Sequence, residues 1–207
     1  PGQFMLAATL KGLAIHTVHE TGANAGPDFE FGWGLLSADR AANMIRKEDG
    51  RHFIMKELTL NNQQDTTFSI VADSTAPLIA TLCWTDPPGN PVPPRLDDNT
   101  RMLVNDLDLR VKTTSDSAYL PWVLDPERPQ NAAGTGDNTR DNIEKIQINN
   151  VAADTFIIEI SHKGELADGS QDFSLLISTR SLDDDLDTYY WIGDDGNWED
   201  PTSWSNT

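Results

Sequence analysis

One cysteine stands among 207 residues. Cys83 alone excludes an internal disulfide and any multi-cysteine metal site. It lies in the apolar run LIATLCW, where burial as a small apolar side chain is its expected role. Basic residues are scarce too: 15 Lys+Arg face 33 Asp+Glu, a net charge of -18. That balance repels phosphate backbones and argues against a nucleic-acid partner. It suits a secreted protein, or one that holds hard cations through carboxylates. No apolar run approaches the roughly 20 residues of a membrane span. No signal peptide opens the chain, and the start at PGQFM, without Met, reads as an excised fragment. These absences do not add up to disorder. With 38% hydrophobic and 23% charged residues, the chain can build one large domain or two small ones.

The first 49 residues read as helical. MLAATLKGLAIHTVHE places Leu6, Leu10, Leu13 and Ala14 on one side at helical spacing. TGANAGPD then breaks the run with turn formers. Ser37 is the expected N-cap of a second helix, Ala38 to Arg46, whose basic end suits the helix dipole. Two such short helices have no core of their own and need a surface to lie on.

After Gly50 the texture becomes β. Strands are expected near HFIMKELTL, TTFSIVA, PLIATLCWT, LVNDLDLRV, AYLPWVL, NIEKIQIN, DTFIIEIS and QDFSLLIST. Short strands separated by turns argue for an antiparallel β-sandwich of jelly-roll type over residues 50–180. Two long interruptions, DPPGNPVPPRLDDNT and DPERPQNAAGTGDNTRD, have the length at which loops carry function. From Ser181 an acidic linker, SLDDDLD, leads to YYWIGDDGNWEDPTSWSNT, the expected start of a further Trp/Gly-rich module over residues 181–207.

No catalytic centre emerges from the motifs. HTVHE, with His16, His19 and Glu20, has neither zinc-protease order, and helix packing or surface placement accounts for both histidines. His52 and His162 stand in no catalytic motif, and no Gly-x-Ser-x-Gly nucleophile elbow occurs. Cations are a different matter. Alternation in LVNDLDLRV puts Asn105, Leu107, Leu109 and Val111 on one face and Val104, Asp106, Asp108 and Arg110 on the other. Asp106 and Asp108 then repel each other, and a calcium ion bound by carboxylate, amide and carbonyl oxygens relieves that repulsion. Further ligand candidates are Asp137, Asp141, Asn142 and Glu144 in GDNTRDNIE, and Asp86, Asp97 and Asp98 in the first long loop. The competing reading is a solvated acidic face with Arg110 or Arg101 as counter-ion.

Taken together, the segments resemble one family. LKGLAIHTVHETG followed by GPDFEFGWGLLSADRA resembles the end of the catalytic domain of subtilisin-like serine proteases (subtilases), where a helix of type LKALLIHTA leads into GPDYxFGWGLxNAxxA. Gly32, Trp33 and Gly34 carry the match best, over about Leu10 to Ala42. CWTDPPG, LVNDLDLRV, DNIE, FIIEISHKG and QDFSLLIS, over about Leu78 to Ser178, resemble the β-sandwich that follows that domain in a bacterial subgroup. There the pattern is WTDPPG, VNDLDLxV, NNVExV, YxIEVxxY and QxFSLxV, so Asp141 replaces the first Asn of the third motif.

The resemblance implies calcium binding and an extracellular or cell-surface place; it does not itself pick the ligands, for which Asp106, Asp108, Asp137, Asp141 and Glu144 are the candidates read from the residues. It also implies a partner, the catalytic subtilase domain of the same polypeptide, and a part in stabilising the protease or assisting protein-substrate binding. The family's catalytic residues do not carry over. Gly134-Thr135 is followed by Gly136 rather than Ser, no histidine precedes glycine, and Asp-Ser/Thr-Gly is missing. The chain is therefore expected to be a non-catalytic accessory region of a secreted endopeptidase, inactive alone. The alternative is an adhesion or carbohydrate-binding sandwich of a bacterial cell-surface protein. The tail resembles W-x-G-x-x-G-N-W repeats of exported bacterial proteins. The apolar face Leu6, Leu10, Leu13, Phe31 and Trp33 of the helical remnant is expected to dock on the sandwich, pair with another copy, or stay partly disordered.

Overall fold

The computed structural model describes residues 4–96 and 98–183, with the backbone of 190–191 and 204–205. Helix α1 spans Ala7–His16 and α2 spans Ala38–Arg46. Ten strands follow: β1 Phe53–Asn61, β2 Thr66–Ala72, β3 Leu78–Trp84, β4 Asp106–Thr113, β5 Ala118–Tyr119, β6 Trp122–Val123, β7 Gly134–Thr135, β8 Ile143–Ile148, β9 Asp154–Lys163 and β10 Ser170–Ser178. In the tail, β11 (Tyr190–Trp191) pairs with β12 (Trp204–Ser205). The rest of the expected tail module lies outside the described residues.

Two four-stranded antiparallel sheets form the body, in the orders β1-β10-β3-β8 and β2-β9-β4-β5. The chain alternates between them, and its last long strand returns to pair with the first along nine residue pairs, Phe53↔Ser178 to Asn61↔Ser170. One core fills the space between the sheets. Ile54, Leu82, Trp84, Leu107, Leu109, Ile158, Phe173 and Leu175 are among its members. Most expected strands form close to their predicted bounds. AYLPWVL instead divides into β5 and β6 around Pro121, whose ring removes a ladder donor.

The first sheet is covered on both faces, which explains the continuous apolar run of β3, buried at every residue. On β10, Phe173, Leu175 and Ile177 point to the inter-sheet core, while Leu176 joins a second cluster with Leu13, Met44, Phe53 and Leu182. The helices therefore dock on the outer face of the sandwich, one of the three expected fates. The docking face of α1 is not the one its leucines predict. Ala8, Thr9, Gly12, Leu13 and His16 are buried, whereas Leu10 is 63% exposed and Leu6 is also exposed. The reason lies in the sheet. It presents Thr81, Cys83, Ser174 and Ser178 to the helix, and small and polar groups admit a helix that approaches with its own small residues. A Cβ on Gly12 would stand 2.8 Å from Leu176 Cδ1.

Polar pairs stitch this seam. His16, expected to be a packing or surface residue, is buried, with Nδ1 2.9 Å from Thr81 Oγ1 and Nε2 3.0 Å from Ser178 Oγ. Burial, with Lys145 and Arg40 nearby, holds its pKa well below the ordinary imidazole value. Thr9 Oγ1 meets Ser174 Oγ at 2.8 Å. Ser37 caps α2 as expected, accepting from Arg40 N at 3.4 Å. Beyond β10, Leu182 is buried against the helices and its carbonyl accepts from Asn43 Nδ2 at 2.9 Å, so the chain up to Asp183 belongs to the packed body. Among the described residues no helix is long and apolar enough to cross a membrane.

Candidate metal centre

Strand β4 behaves as its alternation predicts. Leu107, Leu109 and Val111 enter the core, and Asp106 and Asp108 take the other face. That face is not solvated. Asp106 is 5% and Asp108 6% exposed. Neighbouring loop and strand residues close over them and bring Asp137, Arg110 and Lys163 to the same place.

Glu144 reaches the centre from β8 of the opposite sheet. Strand β5 covers β4 only at Val111 and Lys112, which leaves the first half of that edge without a neighbouring strand. Glu144 Oε2 takes the ladder position there, accepting from Leu109 N at 2.5 Å. It is fully buried, and its other oxygen, Oε1, has no hydrogen-bond partner. Burial pushes its pKa up to about 8, against the help of the Leu109 N–H and the Arg110 guanidinium.

One ligand oxygen each of Asp108, Asp137 and Glu144 lies within 4.8 Å of the others. Lys163 Nζ sits 2.7 Å from Asp108 Oδ1 and 2.7 Å from Asp137 Oδ1, and 3.5 Å from Asp106 Oδ1. Arg110 Nη2 lies 2.8 Å from Asp108 Oδ1 and 3.2 Å from Asp137 Oδ1. Asp106 pairs outward with Arg101 at 2.5 Å, and its Oδ1 is buried without a hydrogen bond. Desolvation, with Asp137 beside it, raises the pKa of Asp108. Asp137 is desolvated too, but its bonds to Lys163 and Asp108 outweigh that and lower its pKa. The more buried carboxyl of this pair therefore holds a proton more readily.

The donor set is all hard oxygen, and its unpartnered buried Glu144 oxygen is what a cation site shows. Asp108, Asp137 and Glu144 thus form an acidic triad able to hold a metal ion, buried at Asp108 and Glu144 and exposed at Asp137, with the Lys163 ammonium now bridging the two aspartates. Asp141 lies outside this group: its carboxylate accepts from Asn138 Nδ2 at 3.0 Å. Asp106 borders the triad through Lys163. Asn142 donates to Trp84 O at 2.8 Å and accepts from Lys11. Asp86 caps the entry to β4, accepting from Val104 N and Asn105 N at 2.8 Å each. Asp98 accepts from Thr100 N at 3.0 Å, and Asp97 lies outside the described residues. Lys163 was not foreseen. It ends the run FIIEISHK, and only the β4–β9 register, Asp106↔Lys163, brings it to the acids.

The motifs of the resemblance meet in space. Trp84 Nε1 donates to Asn105 O at 3.1 Å, and the Asn105 side chain bonds Gln171 Oε1 at 2.7 Å and Ala167 N at 2.8 Å. These bonds fix the long loop between β3 and β4, which accounts for these residue types structurally.

No protein-family model matches the chain, and no curated protein matches it. Among solved structures it is similar to PliG of Aeromonas hydrophila, a periplasmic inhibitor of g-type lysozyme, at 12% identity and a TM-score of 0.34. The match covers 62% of this chain and 87% of that one.

Proposed function

We propose that the chain is the non-catalytic C-terminal accessory region of a secreted subtilisin-like serine endopeptidase. The observation that carries this reading is where the exposed apolar side chains lie. Among the described residues, against six exposed large apolar side chains over the rest of the chain (Val71, Val92, Leu96, Met102, Val104 and Tyr119), nine (Phe4, Met5, Leu6, Leu10, Phe29, Phe31, Leu35, Leu36 and Ile45) crowd the first 45 residues, the part that resembles the end of a subtilase catalytic domain. A catalytic domain in the same polypeptide would cover them, and the sandwich would brace it and help hold protein substrate. The strand orders suit the jelly-roll reading of the sandwich. The test is the upstream sequence and its activity. A Gly-Thr-Ser motif should precede Pro1, and the extended protein should cleave casein in a way that a serine-directed fluorophosphonate abolishes. Upstream sequence without that motif overturns the reading.

The triad is read as a calcium site. Asp108, Asp137 and Glu144 would hold the ion, which would supply the charge that Lys163 and Arg110 now provide and fasten β8 to β4. Melting curves with calcium and with chelator check it: a ligand that binds only the native state adds about 2.7 kcal/mol at a hundredfold excess over Kd. Equal melting temperatures sink the calcium assignment.

A second reading, a carbohydrate-binding module, draws on a cavity of about 310 Å³ where Trp33 and Trp122 face Lys11, Asp141 and Asn142. Saturable quenching of tryptophan fluorescence by oligosaccharides, lost in W122A, would favour it over the accessory role.

A further inference from the structure

On a chain of net charge -18, one partly open pocket gathers three cations. It lies where the end of α1, the start of α2, the edge strand β8 and the chain leaving β10 converge. Its volume is about 220 Å³, and its walls include Arg40, Lys145 and Arg180, the carboxylates Glu20 and Asp183, and His16. That volume is many times what a single water requires.

Lys145 is the feature that needs explaining. It is 5% exposed, yet among the described residues no carboxylate lies within ion-pair distance of its ammonium. Its Nζ donates to Ile15 O at 2.9 Å and stands 6.0 Å from the centroid of Trp33. One acceptor for three donors leaves a buried charge poorly compensated, an arrangement that proteins usually avoid. Burial brings its pKa down to about 8, with the exposed Glu20 opposing that shift and Arg40 adding to it. Arg40 repeats the pattern. Its Nη1 bonds Val18 O at 2.5 Å, but its buried Nε has no hydrogen-bond acceptor. The Asp183 carboxylate, 58% exposed, lies 3.1 Å from that Nε at an angle that makes no hydrogen bond. Arg180 stands at the rim, paired with Asp73 at 3.0 Å. His16 adds no positive charge of its own, because burial disfavours its protonation and its ring is committed to Thr81 and Ser178.

We propose that this cavity is a binding site for a small oxyanion, phosphate- or carboxylate-sized, held between the Lys145 ammonium and the Arg40 guanidinium. An anion there supplies the missing acceptors of both groups. Asp183 at the entry is the chain's own partial substitute, and it exchanges Arg40 for solvent when a ligand enters. The shared chemistry is a compact anionic group of oxygens, and its source is either a free inorganic ion or the carboxylate of an organic acid.

The experiment is a pair of titrations of the chain, with inorganic phosphate and with acetate, at constant ionic strength, followed by amide chemical shifts. Saturable shifts confined to Val18–Glu20 and Ser178–Asp183 are expected with at least one anion, and K145M should abolish them. Response to phosphate alone identifies an inorganic oxyanion site, and response to acetate alone a carboxylate site. K145M should also melt higher than the wild type in anion-free buffer, because it removes an uncompensated charge. No saturable shift with either anion overturns the proposal, and so does a K145M titration that matches the wild type. Should K145M not fold, R180Q at the exposed rim takes its place. Several-fold weaker binding is expected there, and unchanged affinity overturns the proposal.

Discussion

Glu144 on one sheet and Leu109 on the other are joined by a hydrogen bond of 2.5 Å from backbone N–H to carboxyl oxygen. The bond fills an edge position that β5 is too short to reach, and it places a fully buried carboxyl beside Asp108 and Asp137. Fold closure and the candidate metal centre therefore depend on the same side chain.

E144A should cost about 1–3 kcal/mol, because the Leu109 N–H loses its acceptor inside the protein. E144Q keeps a carbonyl acceptor and should cost clearly less. Urea denaturation in chelator measures both, and equal losses would deny the bond its structural part.

The same residue predicts a pH dependence. Its folded pKa of about 8 lies above the ordinary 4.5, so between those values the native state holds a proton that the unfolded chain releases. In metal-free protein this group's contribution is full below pH 4.5 and is lost as pH rises through 8. The wild type should lose stability over that range relative to E144Q. A parallel pH profile for the two proteins counts against a protonated Glu144.

His16 acts with the opposite sign. Its folded pKa lies well below 6.5, so the unfolded chain takes the proton first and stability falls as pH drops below 6.5. The loss should show at the seam it stitches. Protection factors, corrected for the intrinsic exchange rate at each pH, should fall in Ala7–His16 on acidification while those of Leu175–Ile177 hold, and H16Q should flatten that dependence. Uniform exchange across both segments would contradict a local seam.

Gly12 sets how close α1 lies to β10. G12L places a large side chain where even a Cβ stands 2.8 Å from Leu176 Cδ1 and 3.3 Å from Cys83 Cβ. Overpacking of this kind costs about 1–3 kcal/mol. Helical circular dichroism should fall while the sheet signal and the core tryptophan Trp84 remain unchanged. A variant as helical and as stable as the wild type would show that the helix can slide aside freely.

Gly34 is demanded by its backbone. Its φ of +112° is one that side chains rarely adopt, and a Cβ would come within 2.4 Å of His19 O. The isolated His19↔Leu35 bridge joins the two ends of the segment between the helices. G34A should therefore destabilise the segment between the helices more than G32A: Gly32 shares a positive φ, +61°, but a Cβ there meets nothing within 4 Å. Limited proteolysis between Thr21 and Leu36 compares the two, and equal cleavage rates would reject the distinction.

Composition and alternation were enough to determine an antiparallel β architecture, the Ser37 cap and the two faces of β4. All of these are local consequences of residue type and period. The sequence also put Asp108, Asp137 and Glu144 among the candidate ligands, but with Asp141, because neighbours in sequence all look alike as donors. Tertiary structure separated them. The inter-sheet crossing selects Glu144, and the β4–β9 register supplies Lys163. The docking face of α1 was legible only from the sheet side, since the small and polar residues of β3 and β10 make close approach more favourable than burying Leu6 and Leu10. Long-range pairing decided each of these points, and one-dimensional periodicity carries no information about the partner surface.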